Sequence, residues 1–120
     1  MNDHELAGYL AELAGAELLK LRDSANRDGA NPWLLRDQGD LISHNLLKDA
    51  LEEHRPGDSV LSEEGTDDRS RVGANRVWII DPLDGSQDFP YVESAEWAVH
   101  IALIESGEIK AGAVACPSLG

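Results

Sequence analysis

RVWIIDPLDGSQDF, residues 76–89, decides how the rest of the chain is read. Arg76 to Ile80 (RVWII) is an apolar run of strand length, which predicts a buried central strand. Asp81 and Asp84 follow at its C-terminal end, where open sheets commonly hold their ligands, and Pro82 stiffens the link between them. Two like charges held that close repel. Leaving them poorly solvated costs several kcal/mol unless something positive sits between them.

Upstream, from about His4 to Arg22, the residues Leu6, Leu10, Leu13, Ala14, Leu18 and Leu21 recur at three- and four-residue steps and predict an amphipathic helix. Asp23 to Gly39 is polar apart from Trp33, Leu34 and Leu35, and reads as an irregular connection. Asp40 opens a second helix with Ile42, Leu46, Leu47, Ala50 and Leu51 on its apolar face, and Pro56 and Gly57 stop it. Ser59 to Ser62 is a short strand, and Glu63 to Asn75 an acidic loop. Trp97 to Ile104 and Ile109 to Ala115 are two more strands, joined by the turn residues Glu105, Ser106 and Gly107. Two helices followed by a mostly antiparallel sheet make an α+β fold.

At 120 residues the chain supports one modest core. A net charge of -13 argues against general affinity for nucleic acid backbones or anionic membranes. It leaves room for an anionic small molecule where a metal locally inverts the sign. Cys116 is the single cysteine, so no internal disulfide forms, and with neither a signal peptide nor a membrane-spanning run the expected location is the cytoplasm.

Three acidic positions stand out: Asp81 with Asp84, Glu63 with Glu64 at the end of the short strand, and Asp40 at a helix start. Hard cations such as Mg²⁺ prefer carboxylate, carbonyl and water oxygens, while the histidines His4, His44, His54 and His100 show no paired zinc spacing. Singly, each acid has a plainer reading. Glu63 and Glu64 can be solvated loop charges, Asp40 a helix cap, and Asp81 the start of a turn. A strand running straight into DPLDGS is harder to explain that way. If a helical turn begins at Asp84, the amides of Gly85 and Ser86 point outward and suit a phosphate. Carboxylates for Mg²⁺ beside amides for phosphate equip a metal-assisted phosphatase. Phosphatases that form an aspartyl-phosphate space their two aspartates two residues apart, whereas here the spacing is three, so neither reads as a nucleophile.

DPLDGS (81–86) resembles the DP[IL]DGT box of the inositol monophosphatase superfamily of Mg²⁺-dependent, lithium-sensitive phosphatases. LSEEG (61–65) resembles its GEE box, GD (39–40) falls at the family's helix-opening aspartate, and EWAVHIALIESGEIKAGAVACP (96–117) resembles the strands that follow. SQDF (86–89), NPWLLRDQGD and RPGDSVLSEE are most similar to the 3′(2′),5′-bisphosphate nucleotidase branch, in its actinobacterial form. Ser86 stands where the family usually has threonine.

The resemblance implies metal ligation by Glu63, Asp81, Asp84 and the Leu83 carbonyl, with Glu64 in support or on a further metal. It makes Asp40 and Ser86 the pair that activates the attacking water, with the phosphate resting on the amides of Gly85 and Ser86. The implied reaction is Mg²⁺-dependent removal of the 3′-phosphate of adenosine 3′,5′-bisphosphate, a step relevant to sulfate assimilation. An inositol or sugar phosphate is the alternative substrate. The resemblance covers the first part of a family protein, the metal-binding α+β part, and the α/β part that carries a further metal ligand and most substrate contacts is absent. A third reading is therefore a non-catalytic fragment. Residues 1–120 alone are expected to be inactive, and the open edge of the last strand invites self-association.

Overall fold

The computed structural model describes residues 1–27, 29, 31–62, 75–91, 94 and 96–117, with 26 and 27 as main chain alone. Two helices, α1 (Asp3–Arg27) and α2 (Pro32–His54), precede four strands: β1 (Ser59–Ser62), β2 (Arg76–Asp84), β3 (Ala98–Glu105) and β4 (Glu108–Ala115). The strands form one sheet in the order β1-β2-β3-β4. β1 runs parallel to β2, and the other two pairings are antiparallel. The expected α+β class holds, with the sheet mixed but mostly antiparallel.

Both helices lie on one face of the sheet, α1 over β3 and β4 and α2 over β1 and β2. The strands alternate accordingly. Val60, Trp78, Leu103 and Ala111 lie across from one another in register, as do Ile80, Ile101 and Ala113, and these rows meet the helices. Small residues on β4 let α1 come close through Leu6, Ala7, Leu10, Ala11, Ala14 and Leu18, all essentially buried. The opposite face is different. Ile79, Ile109 and Val114 are exposed there, so the apolar run of β2 is buried on one side of the sheet among the described residues.

Two boundaries depart from the sequence reading. α1 continues to Arg27, and α2 begins at Pro32, so Asp40 lies inside the helix instead of opening it. Asn31 is the true N-cap: its side chain accepts a hydrogen bond from the Trp33 amide at 2.8 Å. Pro32 at the first helical position has its φ already suited to a helix and no amide to leave unpaired. The hairpin forms as expected, with Ser106 and Gly107 at φ 54 and 80, the paired left-handed values of a two-residue turn. No helix among the described residues is long and apolar enough to cross a membrane.

At the far end of the sheet, Arg76 ties the layers together. Its guanidinium reaches Asp3 at the start of α1 (3.0 Å), Asp58 before β1 (3.0 Å) and Glu105 at the end of β3 (2.9 Å). Asp3 also receives Arg55 from the end of α2 at 3.1 Å, and the Trp78 indole donates to Asp58 at 2.9 Å. Partial burial works to raise the Asp3 carboxyl, but hydrogen bonds and charge from Arg76 and Arg55 outweigh it and hold the group below its ordinary value of 3.8. A depressed carboxyl contributes stability that is full above the unfolded value and lost as pH falls through the folded one. Asp3→Asn should therefore be less stable than the parent at pH 7, with the gap closing below about pH 3.8. Denaturant titrations at pH 7 and pH 3 measure this, and an equal gap at both would remove Asp3 from the account.

Candidate functional site

Asp81 pairs with His100 and Asp84 with Ala98, so three steps along β2 match two along β3. One residue of β2 is extra, which is a β-bulge. In a regular strand, residues three apart face opposite sides. The bulge cancels that, and Asp81 and Asp84 share the face that carries His100. Pro82 lies within it, where a ladder N–H is not needed, and both Pro82 and Leu83 are buried.

Neighbouring elements fix this distortion. The buried Ser43 hydroxyl on α2 donates to the Pro82 carbonyl at 2.7 Å. One turn earlier, Gly39 brings the helix against the loop: a Cβ there would stand 2.8 Å from Phe89 Cε2 and 3.0 Å from Leu83 Cδ2. Gly85 has φ +74 and backs onto the Glu96 carbonyl, so a side chain fails there on both conformation and space. Its carbonyl accepts from the amides of Asp88 (2.9 Å) and Phe89 (3.3 Å), closing a tight turn. Phe89, fully buried, meets Trp97 edge-on at 5.0 Å. No helical turn begins at Asp84, because Gly85 is left-handed. The Gly85 and Ser86 amides belong to a strand-to-turn junction, not to a helix start.

The other expected residues fall as follows. Asp40 is half-buried and engaged on α2, next to Gly39 and hence beside the turn. Asp81 is half-buried and engaged as well. Asp84 shares a hydrogen bond with His100 Nε2 at 3.0 Å, and its side chain is 59% exposed, so poor solvation does not describe it. Ser86 is half-buried in the turn. Glu63 and Glu64 lie outside the described residues. They follow Ser62, whose hydroxyl shares a hydrogen bond with His44 Nδ1 at 2.9 Å.

Gly39, Ser43, His44 and His100 escaped the sequence reading. Ser43 and His44 stand three and four residues after Asp40, the spacing of one helix face, and that was the available signal. Among the described residues, no group of three or more His, Cys, Asp or Glu is placed to hold a metal ion. The donors on β2, two carboxylates and main-chain carbonyls, fit a hard cation in kind. They fit it in number only with help from elsewhere, such as Glu63.

Residues 10–120 match the inositol monophosphatase family. The chain belongs to that family. It is 46% identical over 129 aligned positions to a 3′-phosphoadenosine 5′-phosphate phosphatase of Mycobacterium leprae, with all of this chain and 47% of the relative covered. An inositol-1-monophosphatase of the same organism is 38% identical over 108 positions, covering 88% of this chain and 37% of the relative. The chain thus spans less than half the length of either relative. Inositol monophosphatase II from Staphylococcus aureus has the same fold, with a TM-score of 0.84 at 24% identity over 99% of this chain and 43% of that one. The chain's two-helix, four-strand unit is therefore a family architecture.

Ser43→Ala would leave the Pro82 carbonyl buried without its donor, at a cost of about 1–3 kcal/mol. Urea unfolding of the variant should show that loss. An unchanged midpoint would mean that the bulge does not depend on α2.

Proposed function

We propose that the chain is the metal-binding part of a cytoplasmic Mg²⁺-dependent phosphomonoesterase that removes the 3′-phosphate of adenosine 3′,5′-bisphosphate. One observation carries the chemistry: the bulge turns Asp81 and Asp84 to one face at the C-terminal end of β2. The substrate rests on the 46% identity to a protein named 3′-phosphoadenosine 5′-phosphate phosphatase. An inositol or sugar phosphate is the second reading, favoured by the 38% identity to an inositol-1-monophosphatase.

In this reading Asp81, Asp84, the Leu83 carbonyl and Glu63 hold Mg²⁺, with Glu64 in support. The cation, when bound, offsets the charge of the phosphate and makes a nearby water more acidic. Ser86 and Asp40 do the proton work. The Ser86 hydroxyl accepts the proton of the attacking water and hands its own to Asp40, so the water attacks phosphorus as a better nucleophile. The P–O3′ bond breaks, and the leaving oxygen takes a proton from solvent. The amides of Gly85 and Ser86 rest against the phosphate.

In the full gene product, Mg²⁺ at millimolar concentration should raise the melting temperature, since a ligand that binds only the native state stabilises it. Asp84→Asn should lose that rise. Ser86→Ala should keep it but turn over about 10²- to 10⁴-fold more slowly, with Ser86→Thr active. Near-normal turnover in Ser86→Ala would remove the hydroxyl from the mechanism, and a melt indifferent to Mg²⁺ would remove the metal.

Residues 1–120 are not sufficient for this activity in our reading. The sheet face opposite the helices exposes Ile79, Ile109 and Val114, and β4 lies at the edge of the sheet. Such a face calls for a covering layer. Purified alone, residues 1–120 should self-associate and show essentially no phosphatase activity, by light scattering and phosphate release. A monodisperse, active monomer would show that this unit carries a complete site.

A further inference from the structure

A cavity of about 300 Å³ lies beside the turn and is lined by Pro32, Trp33, Arg36, Gln87, Pro90 and Tyr91. Its walls are the first turn and a half of α2 and the far side of the loop that carries Ser86. Two aromatic rings stand open to solvent there, Trp33 at 68% exposure and Tyr91 at 47%, with Leu34 at 61% beside them. Large apolar side chains exposed together at one cavity usually mark a binding surface. Their exposure also contrasts with Trp78 and Trp97, which are buried.

Arg36 adds a fixed charge. Its guanidinium sits 4.7 Å from the centre of the Trp33 ring, and its ion pair with Asp37 is long, 3.5 Å. A guanidinium presented on an aromatic platform, in a chain of net charge -13, is a local reversal of sign. Arg36 also precedes Asp40 by four residues on one helix face, roughly 6 Å along the axis. Gln87 is the residue after Ser86. Each wall of the cavity is thus continuous in the chain with a candidate site residue, Asp40 on one side and Ser86 on the other.

Resting on the phosphatase reading above, we propose that this cavity is the subsite for the nucleoside end of the substrate. The base stacks on the open face of Trp33 with Tyr91 at its side, and Arg36 receives the phosphate that is not cleaved. Every base has a π-face, so stacking selects nucleotides as a class, and a polyol phosphate gains nothing from it.

The test uses the full gene product and adenosine 5′-monophosphate as a non-reacting probe, followed by titration calorimetry, with adenosine 3′,5′-bisphosphate and inositol 1-phosphate as substrates. Stacking worth about 1–3 kcal/mol per base predicts that Trp33→Leu weakens probe binding roughly 5- to 150-fold. The same variant should raise KM for the bisphosphate with kcat little changed and leave inositol 1-phosphate unaffected. Arg36→Gln should weaken binding of the probe while adenosine without phosphate still binds. Probe binding that survives both substitutions, or an equal effect on both substrates, overturns the subsite even if the protein is a phosphatase. Probe binding that depends on Trp33 in a protein that hydrolyses no phosphate ester would uphold the subsite and sink the phosphatase reading alone.

Discussion

The extra residue in β2 is the constraint on which the site depends. Without it, Asp81 and Asp84 would face opposite sides of the sheet, and the motif would place one carboxylate against the helices. With it, both share a face with His100. A bulge interrupts the ladder, and the freed backbone needs other partners. Ser43 supplies one for the Pro82 carbonyl, and Leu83 goes into the core at 4% exposure. The placement of the acidic pair is thus set as much by the seat of α2 as by the strand.

That seat explains what the sequence shows and what it hides. The buried positions of α2 are Leu35, Gly39, Ser43, Leu47 and Leu51, a strict four-residue step. Two of the five are not apolar, so counting apolar residues finds the helix from Asp40 onward and mistakes residues 32–39 for a connection. Glycine at 39 looks like a breaker, yet it is there because Phe89 and Leu83 leave no room for a Cβ. The β2 run, the hairpin and the first helix were legible because their periods are uninterrupted. DPLDGS was legible as chemistry from its carboxylates and glycine. The bulge was not, because a three-residue spacing is compatible with a turn, a helix start or an irregular strand, and tertiary contacts decide among them.

Two different kinds of charge cluster lie at opposite ends of the sheet. At one end, Asp3, Asp58 and Glu105 converge on Arg76, whose side chain is 25% exposed. A guanidinium is charged at every accessible pH, and its fork meets several carboxylates at once, so this knot joins α1, β2, β3 and the approach to β1 permanently. At the other end, Asp84 is met by His100, and both side chains are substantially open to water, at 59% and 42%. A histidine holds a carboxylate weakly and gives it up at little cost when a stronger cation arrives.

The two ends use the same carboxylate chemistry and differ in what the partner allows. Replacing a permanent, partly buried cation at the Arg76 end would leave Asp3 with Arg55 alone, Asp58 with only the Trp78 indole, and Glu105 without its guanidinium. An exposed and exchangeable partner at the Asp84 end leaves oxygen atoms within reach of solvent while the backbone beneath them is fixed by Ser43, Gly39 and Gly85. Rigid main chain under accessible carboxylates is the arrangement that binding a small hard cation requires, because ligand geometry must be held while the ion's own waters remain. The helix that seats the bulge through Gly39 and Ser43 also carries Trp33 and Arg36 in its first turns, on the wall of the aromatic cavity. One helix therefore sets the reach between the acidic face and the aromatic cavity, and any change in its register moves both together.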